Sequence, residues 1–491
     1  MSEKGGLDLV RSMKSRIWLL LIGVVIVLLS VVVTSAVSQA EPHDQIKVLS
    51  LEEALTRALQ EHPTVDTAQG ERDSKELTLA RRSAMYAPRL STSFKPLSLS
   101  IRQQESELVL GESLSITGSL STMAGWEFSA ANHWQSKDGD QEKSGLTLKA
   151  SLKLWPPSQY DTDYLGLLQA KESAVLAARV VTKARMEALI DTYRRYRLLQ
   201  IDGDRLEVYR EEHEAKLAKY HQMVGKAEQR LAATVEVIAA LQEKEETLAV
   251  YQRACRDYQR ELRSFLSDLS LDGERWKLES LPDSLSTSSL EITLDEAVSL
   301  ALEADITLVE RNQALAAAHR QANAAKSANG IELSLGGNAE FAREKDVGYE
   351  AYVSFSYPLM DGGLRELERQ EAHLTLEQAE KAVQAQHSKV CLEVESKFSE
   401  VQWLEDQMHI ASLNYEKVAL QHNAKILQAD KGLIPEAEAE ASKRSLEQTR
   451  LDWLEAIVAY EMARLELMLM TGQTVDLKGG FSIDAGGQEI N

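Results

Sequence analysis

The sequence predicts a mainly α-helical chain with a membrane β-barrel portion, built as two structural repeats. Three features predict this class: a motif that occurs twice, two very long stretches without proline, and short segments in which apolar and polar residues alternate. Of the 491 residues 44% are apolar and 27% are charged, and only 9 are prolines. This composition favours long helices over disorder.

The repeat is visible as two registers. The segment "SLEEALTRAL" at 50–59 returns as "TLDEAVSLAL" at 293–302, a spacing of 243 positions (293 minus 50). Farther along the chain, "LWPPSQY" at 154–160 aligns with "SYPLMDG" at 356–362, at a spacing of 202 positions (356 minus 154). The segment "RLAATVEV" at 230–237 aligns with "GLIPEAEA" at 432–439 at the same spacing of 202 (432 minus 230). We therefore interpret the chain as a tandem repeat.

Helices of matching length are predicted in both repeats. A first helix covers 51–87 and its counterpart ends near 329–330, while proline-free stretches at 161–229 and 363–431 predict helices of roughly 100 Å each. A shorter helix follows at 234–270. The second long helix has apolar residues at steps of three and four, as in a coiled-coil seam: Val390, Val394, Phe398, Val401, Leu404 and Met408. The sequence therefore predicts a long coiled-coil helical wall with hairpin turns at 230–233 and 432–435.

Alternating segments precede each long helix. Segments of about ten residues that are apolar on one side and carry aromatic residues near their ends are typical of membrane-barrel strands. Strands of a soluble sandwich have a similar pattern, so the alternation leaves both environments open. The side chains expected to face lipid are Leu146, Leu148, Leu152, Leu154, Tyr349, Val353 and Phe355.

The first forty residues have the pattern of a signal peptide. Four basic residues precede an apolar run at 17–33, and small residues at 38–40 follow it. The run is about 17 residues long, so an uncleaved anchor is the alternative. Removal of 1–40 takes away four basic and two acidic residues, which changes the net charge from -21 to -23 (-21 minus 2).

Composition excludes several classes of function. A net charge of -21 argues against nucleic acid as a partner, because a phosphate backbone selects a basic surface. Two cysteines, Cys255 and Cys391, cannot form a disulfide framework. The ten histidines are scattered, and no nucleophile elbow or phosphate-binding loop occurs, so we expect no catalysis, no cofactor and no metal site.

In the order of these motifs the chain resembles the outer-membrane efflux proteins, the TolC-like channels. The resemblance runs through nearly the whole exported chain: an opening "LEEAL" helix, strands that end in a turn with proline, a long helix, and the hairpin "GLIPEAEAEAS". It implies a homotrimer in which three chains share one antiparallel β-barrel in the outer membrane and one helical tunnel in the periplasm. It also implies export of small molecules or proteins from an inner-membrane pump, through a periplasmic adaptor protein.

The resemblance assigns roles to the hairpin turns. The acidic residues after the two turns, Glu236 and Glu438, correspond to residues that line the periplasmic entrance, although ordinary exposed helix charges are an equal alternative. The residues expected to contact the adaptor are Arg230, Leu231, Gly432, Leu433, Ile434 and Pro435. Arg230 stands where the motif has glycine, which leaves the shape of that turn open. Because Ala429, Ile434 and Ala441 surround the second turn, we expect the lock that ties hairpins together in some members to be absent or rebuilt.

The first repeat has about 41 residues more than the second between the opening helix and the long helix (243 minus 202). The family contributes four strands per chain. A long extracellular loop is the default expectation for the excess. The alternative is an additional strand hairpin around 113–134, which would give six strands per chain and a wider barrel.

The predicted organisation is a signal peptide at 1–40, a first repeat at 41–290 with strands about 89–157, a second repeat at 291–475 with strands about 331–358, and a tail at 476–491. The alternative function is a periplasmic or envelope-anchored coiled-coil adaptor or stalk without a pore. Its long helices would fit, but a stalk has no use for a row of exposed leucines on strands.

Overall fold

A computed structural model of the chain describes residues 47–102, 107–137, 140–271, 275–282, 285, 289–290, 292–327, 331–342, 347–357, 359–473, 475–477 and 481–483. The predicted signal peptide at 1–40 lies outside these residues, and so does most of the predicted tail. The described part is mostly helical with one large β-sheet, as the sequence predicts.

Each repeat opens with two helices where the sequence predicts one. Helices α1 (Leu51–Glu61) and α2 (Pro63–Ser83) are separated at His62, whose backbone is extended, and Pro63 begins the new helix because its missing N–H is not needed there. In the second repeat, α5 (Leu294–Ala304) and α6 (Ile306–Ser327) are separated at Asp305, which is also extended. The prediction of one continuous helix over 51–87 is therefore wrong, and the break is itself part of the repeat.

The duplicated opening motif is a helix start. The hydroxyl of Ser50 accepts the backbone N–H of Glu53 at 3.2 Å, which caps α1. In the second repeat the Thr293 hydroxyl accepts the N–H of Glu296 at 3.4 Å, while the Glu296 carboxylate accepts the Thr293 N–H at 3.1 Å. This reciprocal pair is a capping box, so the motif recurs because both helices begin in the same way.

The long helices have equal lengths in the two repeats. Helices α3 (Thr162–Glu228) and α7 (Leu364–Asp430) contain 67 residues each, and α4 (Thr234–Asp268) and α8 (Glu436–Met470) contain 35 each. The first and last residues of both helices in the first repeat are each 202 positions before their counterparts in the second repeat, for example 162 and 364. Helices α3 and α4 pack against each other as a first hairpin, and α7 and α8 as a second. None of the described helices has an apolar stretch long enough and poor enough in charge to cross a membrane.

Six strands form one antiparallel sheet. The first repeat supplies β2 (Arg89–Arg102), β3 (Glu107–Ser121), β4 (Trp126–Lys137) and β5 (Asp140–Trp155), and the second supplies β7 (Glu332–Ala342) and β8 (Gly348–Ser356). Their order across the sheet is β2-β3-β4-β5-β7-β8. Two short pairs complete the strands: β1 (Lys47–Leu49) with β6 (Trp276–Leu278), and β9 (Val475–Leu477) with β10 (Phe481–Ile483).

The chain divides into two compact units. The smaller contains residues up to 49 and 273–277, and in it the Lys47 ammonium lies 5.4 Å from the centre of the Trp276 ring. All the long helices and the six-stranded sheet belong to the larger unit.

The buried core of the larger unit lies where the short opening helices meet the long ones. One cluster joins α1, α3 and α8 around Leu55, Leu189 and Leu454, and another joins α5, α7 and α8 around Ala297, Val394 and Leu467. The predicted seam on α7 is confirmed, because Val390, Val394 and Val401 are buried and Phe398, Leu404 and Met408 pack against them.

Candidate functional site

The six-stranded sheet has one apolar face. Pairing places Leu90, Gly118, Ala130, Leu148, Ala339 and Tyr349 in one row across all six strands. Since side chains alternate between faces along a strand, the rows two residues away share this face. Its other apolar members include Phe94, Leu114, Ile116, Leu120, Trp126, Phe128, Trp134, Leu146, Ala150, Leu152, Leu333, Leu335, Phe341, Ala351, Val353 and Phe355. Its polar members include Thr92, Asn132, Ser144 and, at one strand end, Glu112.

The opposite face of the sheet is polar. One of its rows runs through Arg89, Ser119, Ser129, Lys149, Asn338 and Glu350, one residue from each strand. Gly336 and Tyr352 are paired on this face, and a methyl group added at Gly336 would lie 2.5 Å from the Tyr352 ring. The glycine therefore makes room for the tyrosine among small polar neighbours.

The residues predicted to face lipid come together in the structure. Leu146, Leu148, Leu152, Tyr349, Val353 and Phe355 all lie on the apolar face, and Leu154 lies at the irregularity between Lys153 and Trp155. On the edge strand β8, Tyr349 and Phe355 are 77% and 66% exposed. Contact with lipid itself stays a prediction.

The excess residues of the first repeat form strands. Residues 113–134 form most of the hairpin of β3 and β4, and these strands pair without a break from Gly111 with Lys137 to Ser121 with Glu127. The default expectation of a long loop is therefore wrong, and the alternative of six strands per chain is confirmed. The hairpin is held in the sheet because its own apolar positions continue the apolar rows of the neighbouring strands.

The two hairpin tips have the same geometry. Arg230 and Gly432 both take the left-handed backbone conformation, with φ of 59° and 69°. In each tip the next N–H reaches back five residues: Leu231 donates to the Lys226 carbonyl at 2.7 Å, and Leu433 donates to the Gln428 carbonyl at 2.9 Å. This is the Schellman helix ending, so the arginine at the glycine position leaves the turn shape unchanged at a cost of about 1–2 kcal/mol in backbone strain.

The predicted tip residues lie at the hairpin ends. Leu231 and Leu433 are 73% and 70% exposed. Ile434 is half-buried, and Pro435 precedes the first residue of α8. Two apolar side chains per chain are thus presented to solvent at equivalent positions of the repeat.

Glu236 and Glu438 occupy the third position of their helices and are both exposed. The Glu236 carboxylate accepts the Ala233 N–H at 2.9 Å, as helix starts favour. Pro435 has no N–H to donate, and the Glu438 carboxylate instead lies 3.5 Å from the Lys425 ammonium. The two acidic residues therefore have different local partners.

Two ion-pair groups join the first hairpin to the second. Arg205 of α3 reaches Glu455 at 2.7 Å and Asp452 at 3.4 Å on α8. In the opposite direction, Arg450 of α8 reaches Asp204 of α3 at 3.3 Å. Burial raises the pKa of Asp204, and the nearby Arg450 guanidinium offsets this effect only in part.

Sequence reasoning missed these inter-hairpin pairs. Arg205 also contacts Asp202, and Arg450 also contacts Glu447, each three residues away on the same helix. From sequence, such spacing indicates an ordinary surface pair within one helix. Their burial, with Arg205 and Arg450 only 18% and 17% exposed, is the signal that sets them apart, and it requires the structure.

No metal centre is formed by the described residues, since none of their histidine, cysteine, aspartate and glutamate side chains cluster in groups of three or more that could hold an ion. Cys391 lies 3.8 Å from His387 on the exposed side of α7, and both cysteines are free.

Known proteins were compared with the chain in sequence and in structure. The model of the outer membrane efflux protein family matches residues 297–473. No curated protein matches the chain in sequence.

Solved structures with this fold include three outer-membrane proteins. The CmeC outer membrane channel of Campylobacter jejuni is 13% identical, with a TM-score of 0.62, over 92% of this chain and 91% of that chain. The MtrE outer membrane channel of Neisseria gonorrhoeae is 13% identical, with a TM-score of 0.60, over 86% and 88%. The outer membrane protein VceC of Vibrio cholerae is 12% identical, with a TM-score of 0.57, over 86% and 94%.

The resemblance that the motifs indicate is thereby confirmed by a family match in the second repeat and by the fold of nearly the whole chain. Residues 297–473 match the model of the outer membrane efflux protein family, and the chain has the fold of the TolC-like outer-membrane channels.

Proposed function

We propose that the chain is one protomer of a homotrimeric channel in the cell outer membrane that extends into the periplasm. It exports small molecules or proteins as the exit duct of a tripartite efflux or type I secretion system. The observation that carries this proposal is the six-stranded sheet with one apolar and one polar face. The channel provides a passage and needs no cofactor.

The apolar face suits contact with lipid. The strands contain between 9 and 16 residues, and about 9–11 residues suffice for a tilted strand to cross a membrane. A strand can cross lipid only when its backbone groups are paired on both sides, as in a closed barrel. The polar face would then line a water-filled lumen.

Closing the six-stranded sheet into a barrel requires other copies of the chain. Strands β2 and β8 lie at the two ends of the sheet, and each pairs on one side only among the described residues. Pairing of β8 with β2 of the next copy is a head-to-tail contact, and such contacts generate a closed ring when the rotation from copy to copy closes. The edge strands come from different repeats, so each copy supplies both halves of the contact.

The second long helix supports contact between copies. Leu367, Leu374, Leu392, Trp403 and Ile410 are each between 57% and 65% exposed. Their spacings of 7, 18, 11 and 7 residues are close to whole numbers of turns of about 3.6 residues, so they form one stripe along α7. A large apolar stripe of this kind marks a surface that packs against another chain.

The remaining roles follow from this placement. The proposed organisation of the chain is a signal peptide at 1–40, repeats at 41–290 and 291–475, and a tail at 476–491. The hairpin tips, with exposed Leu231 and Leu433, would contact a periplasmic adaptor that connects an inner-membrane pump. Glu236 and Glu438 would lie at the periplasmic entrance.

The particle mass tests the proposal. The full chain, extracted from membranes in detergent, is expected to have the mass of three chains by light scattering after correction for bound detergent. It is also expected to conduct ions in a planar bilayer. A chain that stays soluble without detergent and has the mass of one or two chains would overturn the channel and favour a coiled-coil stalk or adaptor.

A further inference from the structure

We propose that the outlet of this channel is an eighteen-stranded pore with a backbone diameter of about 36 Å. The inference rests on the proposed trimer, to which each copy contributes the six strands seen here (3 × 6 = 18). Its consequence is an exit wide enough for polar solutes of about 2 nm, so that the outer-membrane part of the channel is not its size filter.

Strands β3 and β4 are full members of the sheet. They lie between β2 and β5 in the strand order and pair with both neighbours over most of their length. A hairpin that stood above the membrane would pair with its neighbours only at the strand ends. The observed registers instead place β3 and β4 at the same depth as the other four strands.

The side chains of β3 and β4 fit a lipid environment as well as those of the other strands. Leu114, Ile116 and Leu120 of β3 face the same side as Trp126 and Phe128 of β4. Serine and threonine occupy the alternate positions of β3, at 113, 115, 117, 119 and 121. This pattern is typical of barrel strands with lipid on one side and water on the other.

The number of strands determines the width. With strands about 4.8 Å apart and tilted by about 40°, a closed barrel of eighteen strands has a backbone diameter of about 36 Å, against about 24 Å for twelve. Side chains that point inward reduce the free radius of the pore by about 5 Å, which is half of the usual spacing between packed sheets. The free bore is then about 26 Å, compared with about 14 Å for twelve strands.

The connections at the outer strand ends are too short to close such a bore. They consist of residues 103–106, 138–139 and 343–347. A connection of five residues must leave one strand and return to the next, so its tip reaches at most about 9 Å from the strand ends. This is about half of the radius of the eighteen-stranded backbone, so chain length alone keeps connections of this size from spanning the bore.

The barrel diameter tests the inference. We would purify the full chain in detergent, measure its mass, and image it by electron cryomicroscopy along the barrel axis. A matched variant lacks residues 105–138 and so removes β3 and β4 while retaining β2 and β5. The wild-type ring is expected to measure about 36 Å between backbones, and the variant ring about 24 Å.

The outcomes separate this inference from the proposed function. A particle of three chains with a ring of about 24 Å in the wild-type protein would overturn the wide outlet and leave the trimeric channel standing. A particle that does not contain three chains would overturn both. If the variant fails to assemble, the wild-type ring alone decides between eighteen and twelve strands, since the diameter expected for eighteen strands is about one and a half times that for twelve.

Discussion

A lysine placed on the apolar face of the sheet should destabilise the protein in lipid far more than a lysine one residue away. The apolar positions of β5 from Leu146 to Leu154 span eight residue steps, or about 27 Å along the strand. At a tilt of about 40° this corresponds to about 21 Å of depth, close to the apolar band of about 25 Å on membrane barrels. Ala150 is the midpoint, where Phe128 and Gly337 flank it.

Ala150→Lys is expected to lower the free energy of unfolding by about 2–4 kcal/mol per chain, because it places a charge near the bilayer centre. Three chains per particle would bring the loss to about 6–12 kcal/mol. Ser151→Lys is the matched control: it lies on the polar face beside Glu127, and its expected effect is about 0–1 kcal/mol. Ala150→Leu should be tolerated, since it keeps the face apolar.

The assay is unfolding by urea from lipid vesicles, followed by tryptophan fluorescence. An equal loss for the two lysine variants would refute the assignment of faces, and so would full tolerance of Ala150→Lys. Because the three variants differ by one residue in position or by one side chain in kind, general damage to the strand cannot produce the expected order.

The remaining predictions concern the helices. Gly432→Ala should lower the melting temperature, since it places a Cβ at a φ of 69° at a cost of about 1 kcal/mol. Arg230→Gly should raise the melting temperature, because it relieves the backbone strain at a φ of 59°. Shifts of the opposite sign would contradict the geometry of the two tips. Burial lowers the pKa of His62 from its usual 6.5, so the neutral form is favoured in the fold and the free energy of unfolding should fall as the pH drops through 6.5. His62→Asn retains an acceptor for the helix N-terminus and should weaken this pH dependence, and an unchanged profile would exclude His62 as its source. Arg450→Met and Asp204→Asn should be coupled by about 0.5–1 kcal/mol in a double-mutant cycle of thermal unfolding, and additive effects would show that the 3.3 Å pair contributes nothing.

The long elements of the fold could be predicted because their signals are local. Apolar residues at steps of three and four on α7 predict the seam that Val394 and Val401 form in the core, and alternation predicts the faces of β5 and β8. The break at His62 could have been found from the proline that follows it, because residues before proline avoid the helical conformation. Asp305 lacks this signal, and its break follows only from the register of the repeat.

Other features depend on contacts between distant residues. Alternation in 113–134 fits a strand in the sheet as well as a strand in a loop, and only pairing with β2 and β5 decides between them. The ion pairs of Arg205 and Arg450 likewise require that α3 and α8 lie side by side, which no periodicity within either helix can indicate. The capping contact of Glu236, by contrast, is with Ala233 only three residues away, and it depends on where α4 begins.

The β3–β4 hairpin lies where the offset between the repeats falls from 243 at the opening helices (294 minus 51) to 202 at the long helices (364 minus 162). Two copies made by duplication start identical, so a hairpin present in one copy alone must have been gained or lost after the duplication. That event left the boundaries of the long helices in register, because an antiparallel sheet accepts two strands as a unit and returns the chain to the point where it left. The sheet could therefore change its number of strands during evolution without any adjustment in the helices that follow.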